Sequence, residues 1–164
     1  MIGQMAHDGL KSVRFRPFNH TAPGQADSYV VSAFARQIAD IMAGKQAPVI
    51  AVGNLEAERD FLDARDVVRA YAIAAMDSSV PVDPSSVYNL ASGRAWRIGY
   101  ILDHLIELSG MEIEVRVDPE RLRANLVPRA VGSSEAVTRA LGWRPEIAFE
   151  DTLRDVLKFW RGQS

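Results

Sequence analysis

The chain has 164 residues, 48% of them hydrophobic and 24% charged, which is enough apolar content for a sizeable core in one unit spanning 1–164. Its formal charge of -2, without a long basic run, excludes nucleic acid and an anionic membrane surface as expected partners. The absence of cysteine excludes a disulfide framework, a thiol nucleophile and a thiolate metal site.

In chain order, MIGQMAHDGLK lacks the apolar stretch and cleavage pattern of a leader, and no later segment approaches a membrane span, so the expected location is cytoplasmic. Val13, Phe15 and Pro17 then alternate with Arg14, Arg16 and Phe18 as a strand that the proline must end or hold at an edge. It runs into Asn19-His20 and a Pro-Gly turn. Asp27 or Ser28 can cap the helix whose stripe is Val30, Phe34, Ile38 and Ile41, stopped by Gly44. The strand PVIAV, the polar loop GNLEAERDF and a helix from about Asp63 to Met76, with Val67, Tyr71 and Ala74 on one side, come next. DSSVPVDPSS is turn chemistry, expected as a surface loop. VYNLAS reads as a short strand, followed by a helix with stripe Ile98, Ile101, Leu102, Leu105 and Leu108, closed by Gly110. EIEVRVD alternates as a half-buried strand, and RLRANLVPRAVG is an arginine-rich loop. A short helix capped by Ser133 or Ser134 ends at Gly142, and a last helix carries Phe149, Leu153, Val156, Leu157 and Trp160 on one face. Strands alternating with helices make the class α/β with some parallel pairing.

The chemistry-bearing residues are selective in what they allow. His7, His20 and His104 share no metal-ligand spacing, and His104, off its helix's apolar stripe, reads as a solvated histidine, so no metal site is expected. There is no G-x-S-x-G elbow, no glycine-rich dinucleotide or phosphate loop, and no Tyr-x-x-x-Lys pair. Asp60, Asp63 and Asp66, interleaved with Arg59 and Arg65, read as caps and ion pairs rather than as paired catalytic carboxylates. Lys11, Lys45 and Lys158 are the only lysines, and the many arginines reflect base composition in the main, although arginine grips phosphate bidentately where geometry allows. Polar groups gather at strand ends: Asn19-His20, Gly53-Asn54-Leu55 with Arg59, Ala91-Ser92-Gly93-Arg94, and Arg121-Leu122-Arg123. Taken singly each is turn-forming Asn and Gly with surface arginine. In an open α/β sheet, however, strand ends are where ligands bind.

RPFNHTAPGQ, FARQIADI, VGNLEAERDFLDARDVVRAY, VYNLASG and LGWRPEIAFEDTLRDVLKFW, in this order, resemble the C-terminal half of the extended short-chain dehydrogenase/reductase family. NHT-x-PGQ and GNLEA-x-RDF are similar to the branch of GDP-4-keto-6-deoxy-D-mannose reductases and GDP-mannose 4,6-dehydratases. The resemblance implies a partial Rossmann-like fold lacking its N-terminal half, with residual Rossmann strands near 13–18 and 87–91. It places the small C-terminal substrate-binding subdomain near 27–60 and 111–150. It also implies that Pro17, Asn19 and His20 face the nicotinamide end of NADP or NAD, with Asn19 touching the substrate as well. Val30 and Arg36 would lie along the nucleotide, Gly53 and Asn54 at the base, and Arg59 and Arg123 on the diphosphate of a nucleotide sugar, GDP-linked by preference. The sequence departs from the pattern at Leu126, where a carboxylate commonly holds the ribose hydroxyls, at Ala124 for proline, and at Ser133 for aspartate. Leucine accepts no hydrogen bond, so a weaker grip is expected there.

In that family the glycine-rich loop and the Tyr-x-x-x-Lys pair lie upstream of RPFN. The expectation is therefore the substrate-binding half of a nucleotide-sugar oxidoreductase or dehydratase, not catalytic alone and with no catalytic residue of its own. Its expected partners are an N-terminal half or a second copy. The alternative is a non-catalytic nucleotide-sugar-binding or assembly protein derived from the family.

Overall fold

A computed structural model describes residues 12–76, 87–121 and 127–164. Arg123, Ala124, Leu126, the loop DSSVPVDPSS and the first eleven residues lie outside the described residues.

The elements follow in the order β1 (Arg14–Pro17), β2 (Asn19–Thr21), α1 (Val30–Met42), β3 (Val49–Val52), β4 (Glu58–Arg59), β5 (Phe61–Asp63) and α2 (Ala64–Met76). After these come β6 (Val87–Leu90), β7 (Trp96–Arg97), α3 (Ile98–Ser109), β8 (Glu114–Val117), β9 (Arg129–Ala130), α4 (Glu135–Leu141) and α5 (Phe149–Arg161). The α/β class is as expected, and the pairing is largely parallel: β1 with β6, β2 with β5, β3 with β8, and β4 with β9, while β4 and β7 run antiparallel.

The parallel pairs create a fork. Arg14 to Pro17 pair with Val87 to Leu90, and Phe18 N–H still donates to the Leu90 carbonyl at 2.8 Å. From Asn19 to Thr21 the same run of chain pairs instead with Phe61 to Asp63. Pro17, which has no N–H to give, stands where the chain changes partner.

Two apolar clusters hold the elements. The larger lies among α1, α3 and α5 and the buried side of β3, with Phe34, Ile38, Ile50, Ile101, Leu105, Leu153 and Val156 at its centre. Phe61, Trp96 and Phe149 extend it toward the fork, with ring centroids 5.3 Å apart for Phe61 and Phe149 and 5.1 Å for Trp96 and Phe149. The smaller packs α2 and α4 against β5 and β6 through Leu62, Val67, Ala70, Leu90, Val137 and Trp143. The Trp143 indole N–H donates to the Asp66 carbonyl at 2.9 Å, so this large side chain is buried with its polar atom satisfied. No helix among the described residues is long and apolar enough to cross a membrane.

Several local expectations are corrected. The loop GNLEAERDF contains β4 and the start of β5, because its short strands are stabilised by distant partners rather than by local pattern. Neither Asp27 nor Ser28 caps α1: Tyr29 is the N-cap, without a side-chain hydrogen bond, and Asp27 is drawn to Arg36. The buried face of α2 is Asp66, Val67 and Ala70, whereas Tyr71 is largely exposed and packs its ring on Phe15 at 5.4 Å. Strand β8 is exposed along its whole length instead of half-buried; among the described residues β3 is the one strand it pairs with. The start of α4 is as expected, with Ser134 as its N-cap and the Ser133 hydroxyl accepting from Glu135 N–H at 3.3 Å. His104 is not solvated: its ring stacks on Tyr100 at 6.0 Å between planes 3° apart, and its Nε2 is buried.

Candidate functional site

The fork opens a cavity of about 950 Å³. Its walls come from the β1–β2 strand end, the first residues of α1, the 54–57 loop, β4 and β5, the polar position Asn89 of β6, the start of α3 and the end of β9. Local chemistry fixes each wall. Ala22-Pro23-Gly24-Gln25 is a turn with Gly24 at φ +86° and a Gln25 N–H bond to the Ala22 carbonyl at 3.3 Å, the pattern of proline then glycine at the central positions of a type II turn. Gln25 then clips the strand end, accepting from the Thr21 hydroxyl at 2.8 Å and donating to the His20 carbonyl at 3.1 Å. The His20 ring is held by Nδ1 against the Phe18 carbonyl at 2.9 Å. Asn54 turns its own loop by accepting from Glu56 N–H at 2.8 Å, and the Ala57 and Leu55 carbonyls receive the N–H groups of Ile98 and Gly99, each at 2.9 Å.

The cavity gathers Pro17, Asn19, His20, Val30, Asn54 and Arg59. Arg36 and Gly53 are not on its walls. Arg36 lies on a separate exposed groove, ion-paired with Asp27, 3.8 Å from Asp40, and 5.8 Å above the Trp160 ring. Arg59 Nη1 donates to the carbonyls of Glu58 at 2.7 Å and Pro128 at 3.3 Å, which fixes its guanidinium against the wall.

The electrostatics are one-sided. Among the described residues Arg16 and Arg59 line the cavity and no carboxylate side chain does, while Asn19, Gln25, Asn54 and Asn89 supply carboxamides that both donate and accept. The α1 N-terminus reaches the wall through Tyr29, Val30 and Val31 without a capping side chain, so its positive dipole end faces the same space. Such a lining suits an anion flanked by groups rich in hydroxyls and amides.

Asp60, between the wall residues Arg59 and Phe61, is fully buried and its carboxylate is bound within the scaffold. One oxygen accepts from Ser92 N–H at 2.8 Å and the Ser92 hydroxyl at 2.7 Å; the other accepts from Gly93 N–H at 2.9 Å and Gly132 N–H at 3.2 Å. Its own carbonyl accepts from the Asn19 carboxamide at 3.2 Å. Asp60 thus ties the loops after β6 and β9 to the strand end that bears Asn19. Gly132 is part of the same joint, because a Cβ there would lie 2.6 Å from Ala91 Cβ and closer still to the Phe18 ring. Asp63 and Asp66 are structural. Asp63 accepts from Arg65 and, at 2.7 Å, from the Thr152 hydroxyl; burial alone would raise its pKa, but these bonds outweigh it and hold the carboxyl below its ordinary value. Asp66 accepts from Arg69 at 2.7 Å and from the N–H groups of Glu146 and Ile147, both at 3.1 Å.

Reading the sequence passed over Arg16, Gln25, Tyr29, Phe61 and Asn89 on the cavity wall and the joint made by Asp60. Asn89 had a visible signal, a polar residue between Tyr88 and Leu90 in a buried strand. Asp60 had none beyond its spacing, since four donors from two loops far apart in sequence meet only in the fold.

Against known proteins, residues 4–156 match the family model described as GDP-mannose 4,6 dehydratase. The chain is 36% identical over 156 residues to GDP-6-deoxy-D-mannose reductase of Pseudomonas aeruginosa, covering 95% of this chain and 50% of that protein. It is 29% identical to GDP-mannose 4,6-dehydratase of Sinorhizobium fredii, covering 88% and 46% respectively. Among solved structures it superposes on RMD from Pseudomonas aeruginosa complexed with NADPH, with a TM-score of 0.90, 34% identity, and coverage of 99% of this chain and 52% of that one. The chain spans about half the length of the curated relatives it matches.

Proposed function

Since the chain belongs to the GDP-mannose 4,6-dehydratase family, we propose that the cavity at the strand fork is the nucleotide-sugar site of a GDP-sugar reductase or dehydratase, of which this chain supplies the substrate-binding half. The observation that carries the reading is the lining itself: among the described residues, two arginines, a helix N-terminus and four carboxamides surround one space, and none of the lining side chains is a carboxylate. Arg59 and Arg16 hold the diphosphate, and Asn54 and Tyr29 lie on the side toward the base. Arg123 is a further candidate for the diphosphate by resemblance.

The cofactor the family implies is NADP or NAD, and it supplies the hydride. The residues at the strand end fit its nicotinamide ring. Pro17 offers an apolar face, Asn19 keeps one amide proton and its oxygen beyond the bond to Asp60, and His20 sits where the chain leaves β6. Asn19 is thus placed to orient the sugar against the ring. The sequence has no Tyr-x-x-x-Lys pair, so on this reading the chain provides walls and orientation while proton transfer belongs to residues it does not contain. Arg36, held in its own ion pairs away from the cavity, takes no part in nucleotide binding, and Gly53 acts by preceding Asn54 rather than by contact.

Calorimetric titration of the chain with GDP, UDP and NADP tests this. GDP heat is expected, weakened at least tenfold by Arg59→Ala and unchanged by Arg36→Ala. Binding of NADP with none of GDP would contradict it.

A further inference from the structure

Strand β8 is an open edge carrying apolar side chains. Its N–H groups at Glu114 and Asp118 donate to the Pro48 and Val52 carbonyls of the β3 side, at 2.9 and 2.8 Å. In a strand the main chain of successive residues faces opposite edges, so Val115 and Val117 direct their N–H and C=O groups away from β3. Among the described residues no strand lies on that side. The side chains are equally uncovered. Ile50 and Val52 pair with Val115 and Val117 and are buried beneath the helices, yet Val115 is 38% exposed and Val117 60%. The apolar face of the sheet therefore continues one strand beyond its cover.

We propose that this edge is a self-pairing surface: β8 of one chain adds antiparallel to β8 of a second copy, about a two-fold axis at Val115. What identifies the occupant as a second copy is the self-complementarity of Ile113-Glu114-Val115-Arg116-Val117. In that register Val115 faces its own copy as a hydrogen-bonded pair, and Ile113 faces Val117 twice. Glu114 faces Arg116 twice at the closer, non-hydrogen-bonded positions. Within one chain Glu114 and Arg116 already form a two-pronged pair, at 2.7 and 3.0 Å, on the polar face of the strand. Pairing turns this into a ring of alternating charge and covers Val115 and Val117 on the other face. An unpaired edge of this kind is otherwise a site of uncontrolled association. The surface is independent of the ligand reading above, being on a strand that does not line the cavity.

Sedimentation equilibrium over a range of concentrations tests the proposal. The unmodified chain should rise toward twice its monomer mass as concentration increases, and less so in high salt. Val115→Pro removes only an outward N–H and should leave a monomer with the unmodified circular dichroism spectrum. Glu114→Arg and Arg116→Glu should each give a monomer, and the double reversal should restore the dimer; these positions are exposed, so the reversals report even if the proline variant misfolds. A chain that stays monomeric, a dimer that survives the substitutions, or a double reversal that fails to restore it would overturn the proposal.

Discussion

At the scale of single residues the site rests on a carboxylate that never touches the cavity. Asp60 spends both oxygens on four donors from the loops that bound the fork, so its charge organises backbone rather than ligand. Asp60→Ala should cost about 3 kcal/mol or more in urea unfolding, because several buried donors lose their acceptor together. Asp60→Asn should fall between, its oxygen still accepting while its NH2 meets a glycine N–H. Gly132→Ala should cost about 1–3 kcal/mol by forcing Phe18 and Ala91 apart, with loss of ligand affinity since Phe18 lines the cavity. Asp63 makes the fold acid-sensitive in a definite direction. Its carboxyl is held below its ordinary value of 3.8, so its contribution is present above that pH and is lost as pH falls below 3.8 through the lower folded value. Acid unfolding of Asp63→Asn should therefore be less steep in that range than that of the unmodified chain; equal steepness would show that Asp63 carries no such linkage.

At the scale of elements, what could be read in the sequence is what local pattern dictates. Helices α1, α3 and α5 were legible from their apolar spacing, and α1 and α3 also from Gly44 and Gly110 after them, because each buries one stripe in a shared cluster. Strands β4 and β5 were not: two and three residues long, they exist through pairing with β7, β9 and β2. The exposure of β8 was equally invisible, since alternation records which residues share a face and not whether anything covers it. The same limit separated the candidate site. Asn19, His20 and Arg59 sit on strands that flank the fork and do meet, whereas Arg36 lies on the exposed side of α1, off its apolar stripe, and faces another surface. Trp143 joins elements that sequence order keeps apart, tying α4 to the start of α2 through the Asp66 carbonyl. Trp143→Ala should cost about 3–5 kcal/mol, measured by chemical denaturation, and Trp143→Phe less.

For the whole molecule, the change of partner at Pro17 joins architecture to function. One run of chain pairs first with β6 and then with β5, the two pairings diverge, and the space between them collects arginines, amides and a helix N-terminus. Membership of the GDP-mannose 4,6-dehydratase family gives this space a meaning, and coverage of about half of each relative gives the chain its proposed share of the work. Binding at the fork is the central claim, and amide chemical-shift mapping of the isotopically labelled chain on addition of GDP tests it most directly. The shifts should concentrate at Asn19, His20, Val30, Asn54 and Arg59, leaving Arg36 and the α4 region unmoved. Shifts centred on Asp27, Arg36 and Asp40, with none at the fork, would contradict the account.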